Sequence, residues 1–201
     1  MSTAATAPTT TSSSQPLALQ LTSDSLVAQG ALALGGALVL GLASQWEIPL
    51  WPVPISAQSL FVLLIGASFG ARLGGISMLA YLGLGAAGLP MYAGGGSGAA
   101  HLLGPTAGYL VGFAVAAVLV GWMAERGWDR TVRHAVVTFS LGTAVILALG
   151  VAGLMIGLGY DLPEAFASGV VPFWQGFLIK VGMASLVLPG LWSVTRRLRD
   201  A

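Results

Sequence analysis

The 201 residues are 56% hydrophobic and only 7% charged, with a net charge of +1, two His and no Cys. An ordinary soluble domain is roughly a quarter charged, so eight basic and seven acidic side chains cannot clothe a water-facing surface, and the outer face must meet lipid. Disulfides and thiolate chemistry are excluded, two His and scattered carboxylates offer no metal cage, and no basic cluster of the kind nucleic acid requires is present.

The opening MSTAATAPTTTSSSQP is rich in Ser, Thr, Ala and Pro, without side-chain charge or helical period. Residues 1–24 therefore read as a disordered cytoplasmic tail. A signal peptide would need a basic region ahead of its apolar stretch, and the first basic side chain is Arg72.

Crossing the hydrocarbon core takes roughly 20 apolar helical residues. Cutting the chain at its polar, Pro and Gly clusters predicts six spans and an all-α integral membrane protein. The first covers Leu26–Gln45 and is followed by WEIPLWPVPIS, whose three prolines forbid continuous helix. Two short spans near Ala57–Phe69 and Leu73–Gly88 are separated by the tight turn GAR. Irregular backbone at membrane depth is tolerated where it lines a cavity, so this region is the expected cavity wall. The Gly-rich connection LPMYAGGGSGAAHLLGP leads to Thr106–Ala124, then to Ala135–Gly157 and Val171–Ser193. The membrane domain is thus residues 25–195, followed by a basic cytoplasmic tail, 196–201.

Six crossings place Arg72, Arg126, Arg130, Arg133, Arg196, Arg197 and Arg199 on one face and Glu47, Asp161 and Glu164 on the other. Retention of basic residues in the cytoplasm then assigns both termini to that side and the Gly-rich loop to the outside. Trp46, Trp51, Tyr92 and Tyr160 fall at the outer boundary and Trp122, Trp128 and Trp192 near the inner one, as aromatic belts require.

Lys180 breaks this pattern, lying roughly nine residues, or about 13 Å, inside the last span. An ammonium at that depth costs a few kcal/mol, which makes an intramembrane lysine a candidate functional residue. An anionic ligand would supply the countercharge that no carboxylate within the spans provides; snorkelling to the interface is the competing explanation. Phe173, Phe177 and Lys180 share one helical face, with Trp174 beside them, and such a stripe also serves plain helix packing.

The loop GGGSG at 94–98 can bring backbone close to a ligand, though it lacks the residues of a phosphate cradle. Ala33 and Ala37, like Ala31 and Gly35, have the small-xxx-small spacing that lets another helix approach, whether an external partner or a neighbour in the bundle. Ser97 and His101 imitate rhomboid intramembrane protease signatures but fall within one loop, whereas those proteases carry the two groups on separate helices.

The stretches PVPISAQSL, GASFGARLGGISMLAYLGLGAAGLPMYAGG and LLGPTAGYLVGF, with PFWQGFLIK further on, resemble the BioY family. The resemblance is continuous from about Pro52 to Phe113. It implies a non-enzymatic, cofactor-free substrate-binding subunit of an energy-coupling-factor (ECF) importer in the cell (inner) membrane. Such a subunit captures biotin and works with a transmembrane coupling protein and paired cytoplasmic ATPases. By position, the resemblance makes Lys180 the ligand-facing lysine, Gly96 and Ser97 part of the loop that closes over the ligand, and Tyr109 and Gln58 motif residues. It makes Ala33 and Ala37 the docking face for the coupling protein. The departure is Phe177, where family members usually carry an Asp; another small carboxylate vitamin stays open as substrate, as does the end of the ligand that meets Lys180.

Overall fold

The computed structural model describes residues 16–20 and 25–199. Helix α1 (Leu17–Gln20) is one turn; α2 (Leu26–Ser44) starts where the Ser25 hydroxyl accepts the Ala28 N–H at 3.1 Å. A two-stranded antiparallel ribbon follows, β1 (Glu47–Ile48) facing β2 (Ile55–Ser56), with Glu47 opposite Ser56. Next come α3 (Gln58–Ala86), short 3₁₀ turns at Ala93–Gly95 and Ala99–Leu103, α4 (Ala107–Ala124), α5 (Val132–Leu158), α6 (Leu162–Gly169) and α7 (Trp174–Arg199).

Among the described residues five helices are long and apolar enough to cross a membrane. One of them, α3, is a hairpin. Gly70 sits inside it at φ 80°, ψ 176°, outside helical geometry, and a Cβ added to Gly74 would lie 3.1 Å from the Gly66 Cα. In a straight helix, eight residues would hold these glycines about 12 Å apart. The chain therefore folds back at Gly70 into two arms, 58–69 and 71–86, which are the two short spans expected around the GAR turn. Six membrane-crossing segments result among the described residues.

Glu125, just after α4, accepts the Ala71 N–H at 2.9 Å. It thereby caps the second arm at the end where the helix dipole is positive. Gly66 lies so close to the Ala117 backbone that a Cβ there would come within 2.7 Å of its carbonyl oxygen. Small residues thus set the helix spacing where lipid supplies no hydrophobic drive between helices.

The buried aromatics Tyr81, Tyr92, Tyr109, Phe113, Phe173 and Phe177 form one core cluster; Leu63, Val120, Phe139 and Leu188 belong to a second. Leu34, Leu79, Val115, Ile156 and Leu178 are among the large side chains left exposed, as an outer surface in hydrocarbon requires.

Several details differ from the sequence-based expectation. Leu17 is buried within a helical turn instead of lying in a formless tail, while residues 1–15 and 21–24 are outside the described set. Residues 196–199 continue α7 rather than leaving it, since nothing in LWSVTRRLR breaks a helix. Tyr92 and Trp192 are buried, so neither belongs to an interfacial belt. The Trp192 indole donates to Asp129, whose carboxyl burial pushes toward the neutral form. Trp46, Trp51, Trp122 and Trp128 are exposed as belts require.

Ala33 and Ala37 are buried in the bundle, Ala37 completely. Their small faces accept neighbouring helices from within, so they offer no outward docking surface.

Candidate functional site

The proline-rich stretch 49–54 joins the two strands of the ribbon. Beneath it lies a pocket whose walls include Val53, Pro54, Tyr109, Leu110, Phe113, Ile146, Phe173 and Phe177, with Lys180, Ser56, Gln58, Ser59, His101 and Thr106 as polar groups. The space it encloses is about 50 Å³, smaller than the roughly 300–1,000 Å³ typical of small-molecule sites, so a small-molecule ligand enters only as the lining side chains or the ribbon give way.

Lys180 enters from α7. Its Nζ donates to the Ser56 carbonyl at 2.5 Å and to the Ser59 hydroxyl at 2.9 Å, and it stands 5.4 Å from the Phe177 ring centroid. These protein partners are neutral oxygens, which solvate the ammonium without cancelling its charge. Since α7 begins at Trp174, Lys180 lies about 9 Å into the helix, shallower than expected because residues 170–173 form turns.

A polar chain runs on from Ser56. Ser56 donates to Gln58 Oε1 at 2.9 Å, and Gln58 Nε2 donates to the Tyr81 hydroxyl, so the amide bridges ribbon and hairpin. Tyr81 meets the edge of Tyr92, which stacks on His101 with centroids 4.8 Å apart. His101 Nε2 lies 3.4 Å from Thr106 Oγ1, and burial lowers the imidazole pKa. On the apolar side Tyr109 donates to the Gly169 carbonyl at 2.7 Å and packs toward Phe173, which packs toward Phe177.

Of the residues expected at the site, Lys180, Phe177, Phe173, Tyr109 and Gln58 converge on this pocket. Trp174, the first residue of α7, is 53% exposed and is not among the lining residues. Ser97 is exposed, and neither it nor Gly96 is among the lining residues. Gly96 acts one step removed: a Cβ there would sit 2.7 Å from the His101 ring, so its bareness lets His101 stack on Tyr92. The loop is tied down by the Gly98 N–H on the Gly85 carbonyl at 2.7 Å. The segments 51–60 and 89–105 are expected as walls of the cavity, but Ser56, Ser59, Tyr92 and His101 within them, and Thr106 just beyond, are not singled out as site residues by the sequence; both serines lie in PVPISAQSL, but which of its polar atoms faces a lysine 121 residues onward depends on tertiary packing.

The sequence pattern of the BioY family matches residues 11–197. This chain belongs to the BioY family. A probable biotin transporter BioY from Lysinibacillus sphaericus is 42% identical over 112 residues, covering 56% of this chain and 57% of that protein. Another, from Pyrococcus horikoshii, is 37% identical over 146 residues, covering 73% of this chain and 85% of the relative. A crystal structure described as the S-component for biotin from an ECF-type ABC transporter superposes with a TM-score of 0.72 at 25% identity, over 90% of this chain and 95% of that one. Family membership and this all-helical likeness place a transporter-component fold around the Lys180 pocket.

Proposed function

We propose that this chain is the substrate-capture subunit of a biotin importer and that biotin occupies the pocket under the ribbon. The observation that carries the reading is Lys180 standing inside an aromatic-walled pocket in a BioY-family chain. Biotin joins a compact, largely apolar bicycle with a polar ureido edge to a short chain ending in a carboxylate. Phe173, Phe177 and Phe113 suit the apolar surface. Lys180 supplies a cation, while Gln58, Thr106 and His101 supply hydrogen-bonding groups.

The proposed orientation puts the pocket outside and both termini in the cytoplasm of a cell whose inner membrane the protein spans. No nucleotide-binding loop occurs in the sequence, so cytoplasmic ATPases acting through a transmembrane coupling protein would supply the energy, and the subunit itself performs no chemical conversion. For that coupling protein we place the docking surface beside the buried Ala33 and Ala37. A shallow groove there runs along Ala31, Leu32, Gly35 and Val39 of α2 and Phe69 of α3.

Equilibrium binding of labelled biotin to the detergent-purified chain tests the assignment. Lys180→Ala is expected to weaken binding at least about tenfold, the scale of one lost charge-assisted hydrogen bond. No binding by the parent would reject biotin. Phe177, buried and without an acceptor, makes competition with other carboxylate vitamins the second arm: displacement by one of them better than by biotin would reassign the substrate.

A further inference from the structure

We propose that the cleft between the second arm of α3 and α4 is a binding site for an anionic phospholipid, with an acyl chain in the cleft and the phosphate between Arg72 and Arg126. The cleft is lined by Gly75 and Leu79 on one side and Ala114, Val115, Val118 and Trp122 on the other, all apolar. Gly75 makes the depression: a Cβ there would lie 2.9 Å from the Val118 side chain. From Val115 to Trp122 the cleft runs about 10 Å along α4, which fits within one leaflet's share of the roughly 30 Å hydrocarbon core.

Both walls end in arginine at the same level. Arg72 precedes Gly75 by three residues and Leu79 by seven, on the same helical face. Arg126 follows Trp122 by four and stacks 3.6 Å from its ring centroid. The two helix ends are locked together here, since Glu125 accepts the Ala71 N–H and a Cβ on Gly121 would come within 2.4 Å of the Ala71 nitrogen. Arg72 is exposed and has no hydrogen-bond or ion-pair partner among the described residues. Arg126 gives Nη1 to the Trp122 carbonyl, leaving other N–H donors of its fork available. Glu125, the carboxylate at this corner, is engaged by Ala71.

An apolar trough ending in two guanidinium groups matches the chemistry of a phospholipid with net negative charge. A zwitterionic lipid brings its own cation to the phosphate, and free phosphate has no use for the trough. The groove along α2 shows the contrast, since α2 carries no charged side chain at all.

Native mass spectrometry of the full chain in detergent, with phosphatidylglycerol or phosphatidylcholine added, tests the site. Phosphatidylglycerol is expected to be retained preferentially. Retention should fall about fivefold for each of Arg72→Gln and Arg126→Gln, while Arg133→Gln, which removes a charge away from the cleft, leaves it unchanged. Val115→Trp, which fills the cleft with both arginines intact, should also lower retention, and glycerol phosphate, which has no chains, should not compete. Biotin binding by each variant reports that the fold survives. Equal retention of the two lipids, an Arg72→Gln/Arg126→Gln variant indistinguishable from Arg133→Gln, full competition by glycerol phosphate, or a dimer mass lost on filling the cleft would overturn the proposal.

Discussion

Lys180 illustrates how far a single residue can be read. An ammonium within an apolar span announces itself by cost alone, and the structure puts it in a pocket on two neutral oxygens. The sequence could not name those oxygens, because they arrive from a stretch more than 120 positions away. Gln58 depends on packing in the same manner: its amide satisfies both Ser56 and Tyr81. Gln58→Leu strands two hydroxyl groups in a poorly hydrated site, and thermal unfolding in detergent should register a loss of about 1–3 kcal/mol, together with weaker biotin binding. Ser97→Ala, at an exposed position outside the pocket, is expected to leave binding unchanged; loss of a proteolytic activity on this substitution would revive the hydrolase alternative. His101 has a direction with pH. Burial lowers its pKa below the usual 6.5, so above that value the neutral ring is at home in both states. As pH falls through the usual value toward the depressed one, the unfolded chain takes up the proton first, and stability drops. Thermal stability measured from pH 8 to 5 should decline more steeply for the parent than for His101→Phe.

At the scale of elements, the six crossings were legible because apolar length and basic punctuation are one-dimensional signals. The hairpin of α3 was legible as two short spans around GAR, since a glycine with an arginine two positions on interrupts both helix and hydrophobicity. What was not legible was which helical faces turn inward: Ala33/Ala37 and Ala31/Gly35 have the same spacing, and only the position of α3 decides that the first pair is buried. Helix α6 was also overlooked, although Asp161 and Glu164 mark its start and the Asp161 carboxylate accepts the Glu164 N–H at 2.8 Å; a search for long spans passes over eight residues lying at the surface. Gly70→Ala should destabilise the hairpin strongly, by at least about 1–3 kcal/mol, because it imposes a side chain on positive φ. The added methyl would also lie 2.6 Å from both Glu125 Oε1 and the Pro16 ring. Thermal unfolding of the purified variant measures this.

For the whole molecule, the pocket belongs to no single helix: the ribbon, the first arm of α3, the Gly-rich loop, α4, α5 and α7 each contribute to its walls. That distribution suits a capture subunit whose bound and empty forms differ at loops while the bundle stays intact. The groove on α2 shares no lining residue with the pocket, so the proposed docking surface can be altered apart from the ligand site. Gly35, with nothing within 4 Å of an added Cβ, provides the probe. Gly35→Leu is expected to abolish co-purification with the coupling protein while leaving biotin affinity within about twofold, a shift too small to represent a lost contact.

The hairpin is fastened at both extremities, by Gly70 at one and by the Gln58 amide gripping the Tyr81 phenol at the other. Two helical arms clasped in this way form a closed loop of covalent and hydrogen bonds, so splaying them costs the Gln58–Tyr81 bond, about 1 kcal/mol. A pull of the ribbon on Gln58 is therefore passed through this one bond to the second arm, which itself contributes no wall to the cavity.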